Sequence, residues 1–356
     1  MNLTLHLTDH CNMDCAYCTR EKKPVRMSEE VLHAACRLAF SAGTHGGLCF
    51  FGGEPLLEQD LIYEALDTCA ALSAETGKPT QYRMTTNGTL LTESFLARAA
   101  KEKIGIGLSF EGLAQDTCRH FADGSGSFGI VEKKAKLLLK YMPGSHVMMT
   151  IAPQAAGQFA ASVRYLYGLG FRRMTATIAY GYKVHWTDAA LEILRGQLWE
   201  IAAFYSGKLL EGEPFWFSPL DSKIRDLLAG FPTAERCHLG MRQMPVAPDG
   251  RIYACTQFIG DEDYCLGDVF TGLVPEKCAA LAKKEATPDT CRDCDLQKRC
   301  TNSCGCLNRL ETGNERTVSP LQCTYERMLI ALADETAAKL YEDAPNLFAA
   351  HYRTVL

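Results

Sequence analysis

Short apolar and β-branched runs recur along the first half of the chain, at Leu3 to Leu7, Leu48 to Phe51, Tyr82 to Thr86, Ile104 to Phe110, Val147 to Ile151 and Met174 to Ile178. Each has the length of a buried strand, and helical periodicity fills the gaps between them. Ser28 predicts an N-cap: Glu29 and Glu30 then suit the positive end of the helix dipole, while Val31, Ala35, Leu38 and Ala39 share one face. Gly43 predicts the stop of that helix. Thr92 and Thr187 predict similar caps ahead of "ESFLARAA" and "DAALEILRGQLWEIAAFY". Six strands, each followed by a helix, imply parallel pairing with right-handed crossovers. The fold class is therefore α/β, a partial (β/α)6 barrel whose chemistry lies at the carboxyl ends of its strands.

From about Leu209 the pattern changes. "EGEPFWFSPLDSK" is punctuated by proline and aromatics, and the residues beyond it form short strand-like runs, many turns and closely spaced cysteines. The division expected is a barrel domain over 1–208, a linking region over 209–236, a cysteine-rich domain over 237–330, and a C-terminal helix and tail over 331–356. "CTYERMLIALADETAAKLY" predicts a helix with Cys323 near its start.

Composition narrows the class. The 356 residues are 47% hydrophobic and 22% charged, which is globular and enough for more than one domain. A net charge of -5 carries no basic footprint for nucleic acid. No apolar run is long enough for a membrane span, and "MNLTLHLTDHCN" lacks the layout of a signal peptide, so the expectation is a cytoplasmic protein. In that compartment seventeen cysteines point to metal or catalysis rather than to disulfides.

Cys11, Cys15 and Cys18, spaced C-x3-C-x2-C, follow the first strand. Three thiolates on one loop can hold three irons of a [4Fe-4S] cube and leave the fourth iron open. A zinc site lacking one ligand is the alternative, although structural zinc usually takes four. "GGEP" (Gly52, Gly53, Glu54, Pro55) directly follows the second strand, where residues without side chains allow close approach of a ligand. These residues resemble the radical S-adenosylmethionine (SAM) enzymes, defined by C-x3-C-x2-C with GGEP as a second motif. "TTNGTLL" and "IGLSFEG" are similar to that family's later strand ends.

The resemblance implies a cluster whose open iron chelates SAM and whose electron frees a 5′-deoxyadenosyl radical. It implies that Tyr17 approaches the adenine and that Glu54 and the Gly52–Gly53 backbone meet the methionyl ammonium. Asn87, Ser109 and Arg119 are implied for the ribose and carboxylate.

The C-terminal spacing is richer. Cys237 precedes Gly250-x4-Cys255, then C-x2-C-x5-C-x3-C through Cys291, Cys294, Cys300 and Cys304, and finally Cys323. Paired C-x2-C spacing by itself also suits zinc knuckles. The whole pattern is similar to the SPASM domain of peptide-modifying radical SAM enzymes. That resemblance implies one auxiliary [4Fe-4S] cluster on Cys291, Cys294, Cys300 and Cys323, and a nearer one on Cys237, Cys255 and Cys304, three clusters in all. Sulfatase-maturing relatives place a further ligand where this chain has Gln243. The nearer cluster then has an open iron able to bind a substrate thiolate, or Cys265 or Cys306 is its fourth ligand. Cys278, Cys36, Cys49, Cys69 and Cys118 are expected in the core.

The function implied is a maturase that forges a cysteine thioether in a ribosomally made peptide. The alternative is an anaerobic sulfatase-maturing enzyme that converts Cys or Ser to formylglycine. There the residue after the G-x4-C cysteine is an aspartate base; here it is Thr256, with Asp261, Glu262 and Asp263 nearby. A non-catalytic iron-sulfur electron carrier is the reading from another class, and GGEP speaks against it. Expected partners are a cysteine-containing peptide and an electron donor such as flavodoxin or ferredoxin. Because the first barrel strand begins at residue 3, a separate leader-binding protein presents the peptide, or the core binds it directly.

Overall fold

The computed structural model describes residues 1–230, 239–241, 244–282, 289–300 and 304–353. Its first half comprises β1 (Asn2–His6), β2 (Met13–Cys15), α1 (Glu29–Ser41), β3 (Gly46–Phe51), α2 (Gln59–Thr76), β4 (Thr80–Thr86), α3 (Glu93–Lys101) and β5 (Gly105–Ser109). Then come α4 (Gln115–Cys118), β6 (Arg119–Phe121), α5 (Phe128–Tyr141), β7 (His146–Ile151), α6 (Phe159–Leu169), β8 (Arg173–Ile178) and α7 (Asp188–Leu210). The remainder holds β9 (Trp216–Phe217), α8 (Ser218–Leu228), β10 (Met244–Val246), β11 (Arg251–Tyr253), β12 (Cys265–Asp268) and β13 (Gly272–Leu273). The chain continues through α9 (Pro275–Ala282), α10 (Gly305–Thr312), α11 (Pro320–Asp343) and α12 (Pro345–His351).

The six expected strands are β1, β3, β4, β5, β7 and β8, and they pair in parallel in that order. Alternation along β1 and the residue that follows it turns Leu3, Leu5 and Leu7 into the core shared with Val31, Leu32, Ala35 and Ala39 of α1. The expected caps form: the hydroxyls of Ser28, Thr92 and Thr187 accept from the N–H groups of Val31, Phe95 and Ala190. No helix among the described residues is long and apolar enough to cross a membrane.

Two of the segment limits fall within packed elements. The stretch beginning at 209 is more than a connector, because β9 extends the barrel sheet in parallel beside β8 and α8 packs beneath it. Its aromatics made the segment look like a linker, yet Phe215 and Phe217 are buried and ring-packed against Tyr167, Tyr205 and Phe159. Likewise α11 runs unbroken through residue 330, so the limit expected there falls inside a helix capped by Ser319. Nor does the cysteine-rich part stand apart from the barrel. β10 pairs in parallel with β1, and β11, β12 and β13 join antiparallel beyond it, making one eleven-stranded sheet.

Asp221 ties this end of the chain together. Fully buried, it accepts from the Tyr205 hydroxyl at 2.7 Å, the Phe217 N–H at 2.6 Å and the Tyr352 hydroxyl at 3.1 Å, with His351 Nε2 at 2.9 Å. Asp221→Ala would orphan the buried Phe217 N–H and leave the Tyr205 and Tyr352 hydroxyls and His351 only one another as partners. It is expected to lower unfolding free energy by roughly 3 kcal/mol, read from the denaturant midpoint.

Candidate active site

Backbone pairing and side-chain amides hold the loop that carries the first cysteines. The N–H of Gly53 donates to the carbonyl of Thr8 at 2.8 Å, and that of Glu54 to the carbonyl of His10 at 2.9 Å. β2 pairs antiparallel with β6, which sets Cys15 opposite Arg119. Asn87 Nδ2 donates to Asn12 Oδ1 at 2.8 Å, and Asn12 Nδ2 to Thr89 Oγ1 at 2.9 Å. The glycines of GGEP make the two backbone hydrogen bonds to Thr8 and His10 possible. A Cβ on Gly53 would stand 2.0 Å from the His10 oxygen, and one on Gly52, whose φ is +131°, 2.4 Å from the Thr8 oxygen. Their missing side chains admit the cysteine loop itself, besides opening the cavity wall.

Glu54 is buried, and its two oxygens accept from the Leu56 N–H at 3.1 Å, the Thr86 hydroxyl at 2.6 Å and the Asn87 N–H at 2.8 Å. It thus anchors the end of β3 to the end of β4, with room for one more donor. Burial pushes its carboxyl up to about 6, against those three hydrogen bonds.

These ends enclose a cavity of about 510 Å³, lined by Cys11, Cys15, Cys18, Tyr17, Gly52, Gly53, Glu54, Asn87, Ser109 and Arg119. Every cofactor residue expected from the N-terminal motifs therefore faces one space. Asn87 reaches it with its amide largely committed, since its Oδ1 also accepts from the N–H and hydroxyl of Thr89. Thr256, Gln257, Leu307 and Leu310 of the cysteine-rich part share the wall with further residues of the barrel strands.

A residue passed over in the sequence organises the opposite side. Glu111 is 3% exposed; its Oε1 accepts from Arg119 Nε at 2.7 Å and the Tyr17 hydroxyl at 2.6 Å, and its Oε2 from the Thr150 N–H at 2.7 Å. Its signal was its place two residues beyond β5, at a strand end like Glu54. Burial works against the Arg119 charge, but Tyr17, Glu111 and Cys15 hold its pKa well above the usual arginine value. Arg119 Nη1 lies 3.9 Å from Cys15 Sγ. Burial pushes the Cys11 thiol up to about 11 and raises Cys15 too, where Arg119 opposes the rise. Partly buried thiols of this kind become thiolates when a cation or iron compensates the charge, so the donor set fits a cluster.

In the cysteine-rich part, Cys291, Cys294, Cys300 and Cys323 line a separate cavity of about 150 Å³, with Arg327 Nη2 3.8 Å from Cys294 Sγ. Cys304 and Cys306 place their sulfurs 3.4 Å apart, and the Cys306 thiol also hydrogen-bonds Cys255. Cys237 and Gln243 lie outside the described residues. Cys36, Cys69 and Cys118 are buried as expected, while Cys49 and Cys278 are half-buried.

Asp261 is occupied, bonded to Arg309 at 2.7 Å and accepting from the N–H of Asp263 at 3.2 Å. With Glu262 it lines a neighbouring cleft of about 800 Å³, which shares Thr19, Arg20, Thr256 and Gln257 with the cysteine cavity. Arg20 bridges the two parts, donating to the Thr256 carbonyl at 3.2 Å and to Asp9 at 3.1 Å.

Residues 5–166 match the Radical SAM superfamily. The chain is 27% identical, over 46% of its length, to the cysteine-type anaerobic sulfatase-maturating enzyme of Clostridium perfringens (strain 13 / Type A), covering 47% of that protein. It is 23% identical, over 76% of its length, to the antilisterial bacteriocin subtilosin biosynthesis protein AlbA of Bacillus subtilis (strain 168), covering 57% of it. The chain thus spans about half the length of each of these relatives. Its fold matches that of native anSMEcpe with bound AdoMet at a TM-score of 0.81 and 20% identity, over 97% of this chain and 100% of that one. The same protein has been solved with AdoMet and a Kp18Cys peptide; there the TM-score is 0.80 at 19% identity, over 97% of this chain and 99% of that one.

The geometry gives two testable outcomes. Glu111→Gln strips the buried Arg119 of its counter-charge and is expected to destabilise the fold by about 3 kcal/mol, measured by denaturant unfolding. Gly53→Ala drives a methyl group into the His10 carbonyl and displaces the loop. Iron retained by that variant after anaerobic reconstitution should fall by about one cluster's worth, roughly four per chain.

Proposed function

We propose that this chain, whose residues 5–166 form a radical SAM domain, modifies a ribosomally made peptide by joining a cysteine sulfur to a carbon of another residue. One observation carries the reading: the three thiols, Glu54 and Arg119, the last paired with Glu111 behind it, line a single cavity that residues of the cysteine-rich part help to close. At about 510 Å³ that cavity is in the range of cofactor sites. When bound, SAM and its [4Fe-4S] cluster supply a hydrogen-abstracting 5′-deoxyadenosyl radical, and two auxiliary clusters supply an acceptor for a second electron.

Cys11, Cys15 and Cys18 hold the SAM-binding cluster in this reading. The free lone pair of Glu54 takes the methionyl ammonium, and the Gly52–Gly53 backbone lies beside it. Tyr17 presents its ring to the adenine, braced by Glu111 and by the Arg119 guanidinium 5.5 Å from the ring centre. Ser109, Asn87 and Arg119 supply the remaining polar wall. Cys291, Cys294, Cys300 and Cys323 hold one auxiliary cluster, and Cys255 and Cys304, with Cys237, the other. The substrate carbon would give its hydrogen atom to the 5′-deoxyadenosyl radical, which becomes 5′-deoxyadenosine, the substrate thiol would give its proton to solvent, and the new carbon–sulfur bond would leave one electron for the acceptor.

The sulfatase-maturating and bacteriocin-biosynthesis relatives, and a peptide bound in the same fold, support a peptide substrate. Formylglycine formation finds less support. Thr256 offers no base, and of the nearby carboxylates in the adjoining cleft Asp261 is bound to Arg309 and Glu262 to Arg251. A bare electron carrier has no use for a cavity of this size beside its thiols. We assign reduction to an external flavodoxin or ferredoxin, and place the reaction in the cytoplasm.

The test is mass spectrometry on a cysteine-containing peptide encoded beside the gene, incubated anaerobically with reconstituted enzyme, SAM and reductant, then treated with a thiol alkylator. A peptide lighter by two hydrogens, with one thiol protected from alkylation and 5′-deoxyadenosine released, is the expected outcome. A peptide carrying formylglycine would overturn it.

A further inference from the structure

The barrel strands turn one face to the helices and the other to the lumen, and the lower half of that lumen is cationic. On β4, Tyr82 and Met84 pack in the core, so Gln81, Arg83 and Thr85 turn inward. By the same alternation His146, Met148 and Thr150 turn inward on β7, and Arg173, Thr175 and Thr177 on β8. Parallel register brings the basic residues together. Arg83 lies opposite Gly105 and His146 opposite Gly107, while the pairing of Val147 with Met174 sets His146 level with Arg173. The glycines of β5 make the room: a Cβ on Gly107 would stand 2.8 Å from both His146 Nε2 and Met148 Sδ, and one on Gly105 would meet Arg83 Cγ at 3.8 Å.

This space is distinct from the cysteine cavity. Met148 reaches over Gly107 to within 3.9 Å of the Thr85 hydroxyl, and these two residues line the cysteine cavity. Arg83 and His146 stand two residues nearer the amino ends of the same strands, about 7 Å lower, and neither they nor Arg173 line it.

The charge gathered here has no counterpart. Among the described residues no carboxylate comes within ion-pairing distance of Arg83 or Arg173, which are both exposed, whereas Arg26, Arg98, Arg164 and Arg251 each meet one. Burial holds the His146 imidazole below its ordinary pKa and the charges of Arg173 and Arg83 add to the effect, so both guanidiniums act on the one ring. Lys101 and Lys103, exposed on the turn into β5, continue the positive rim. Of the acids at this end, Glu102 is bonded to Arg98 at 3.1 Å and Glu213 stands beside Tyr167. In a chain of net charge -5 such a mouth departs from the average surface. A recess lined by one sign of charge gathers the opposite sign, and the guanidinium fork matches a carboxylate.

We infer that the amino-end mouth of the barrel is a second binding site, in which Arg83, His146 and Arg173 receive a carboxylate borne by a small organic acid or by an acidic peptide segment. A cavity of about 60 Å³ beside Arg83, bordered by Asn2, Cys49 and Gln81, adds depth to the recess. The site needs neither iron nor SAM, so it stands or falls apart from the peptide-modifying reading.

The experiment is calorimetric titration of the full chain with citrate and, separately, with a hexaglutamate peptide, both at one ionic strength. Saturable binding of one ligand per chain is expected. Arg83→Gln and Arg173→Gln should each weaken it about tenfold, since each removes a charge-assisted pair. Arg83→Lys, which keeps the charge and loses the fork, should weaken it less. Lys136→Gln, on the exposed face of α5, should match the parent. Tighter binding of the peptide assigns the site to an acidic segment, and binding of citrate at least as tight assigns it to a small acid. In the parent, the His146 ring resonances, identified by their loss in His146→Gln, should shift along the same saturation curve, a readout that needs no arginine variant. Absence of saturable binding by either ligand, affinity unchanged in both arginine-to-glutamine variants, or saturation without movement of the His146 ring would overturn the assignment.

Discussion

A loop that presents three thiols to one space gains little from its own side chains, because those side chains are the ones it must leave free. Here its position comes from the backbone. Thr8 and His10 lie so close to Gly52 and Gly53 that a single methyl group on either glycine would enter a carbonyl oxygen. That contact needs the ends of β1 and β3 side by side, which their parallel register provides. The cavity, the orientation of Glu54 and the pairing of β2 with β6 all depend on the same closure.

Electrostatics then finish the site from the far side. Placing Arg119 in a buried position costs desolvation that a single carboxylate offsets only with good geometry and further hydrogen bonds. Glu111 meets that requirement by accepting from Arg119, Tyr17 and the Thr150 N–H together. The guanidinium is thereby fixed near Cys15, where a positive charge favours the thiolate that burial opposes. Glu54 and Glu111 are thus two strand-end carboxylates with separate duties, one binding strand to strand and one holding a cation.

The second part of the chain is joined to the barrel by the sheet itself. Pairing of β10 with β1 carries β11 and the Cys255 turn to the rim of the cavity, and Arg20 fixes the cysteine loop to the backbone of Thr256. The thiols of Cys255, Cys304 and Cys306 then lie beside helix α10, whose leucines close the cavity. The adjoining cleft, lined by charged residues of both parts, opens next to this junction.

Local patterns determined a good deal. Strand runs of period two, threonine and serine caps, and cysteine spacings act over a few residues, so the six parallel strands, the caps at Ser28, Thr92 and Thr187, and the thiol-bearing loops were legible before any coordinates. Contacts between distant segments were not. Nothing near Glu111 announces that Arg119 and Tyr17 will converge on it, and Phe215 and Phe217 read as linker residues until β9 pairs with β8. GGEP was read as a ligand-facing turn, while its steric demand toward His10 depended on a loop more than forty residues earlier. The choice between Cys265 and Cys306 was open in one dimension, since both lie near the pattern. Sequence spacing sets which thiols exist, whereas only the packing of β12 and α10 turns the Cys265 thiol to the Gly267 carbonyl and sets the Cys306 sulfur beside Cys304, because side-chain direction is a property of the folded element rather than of the residue.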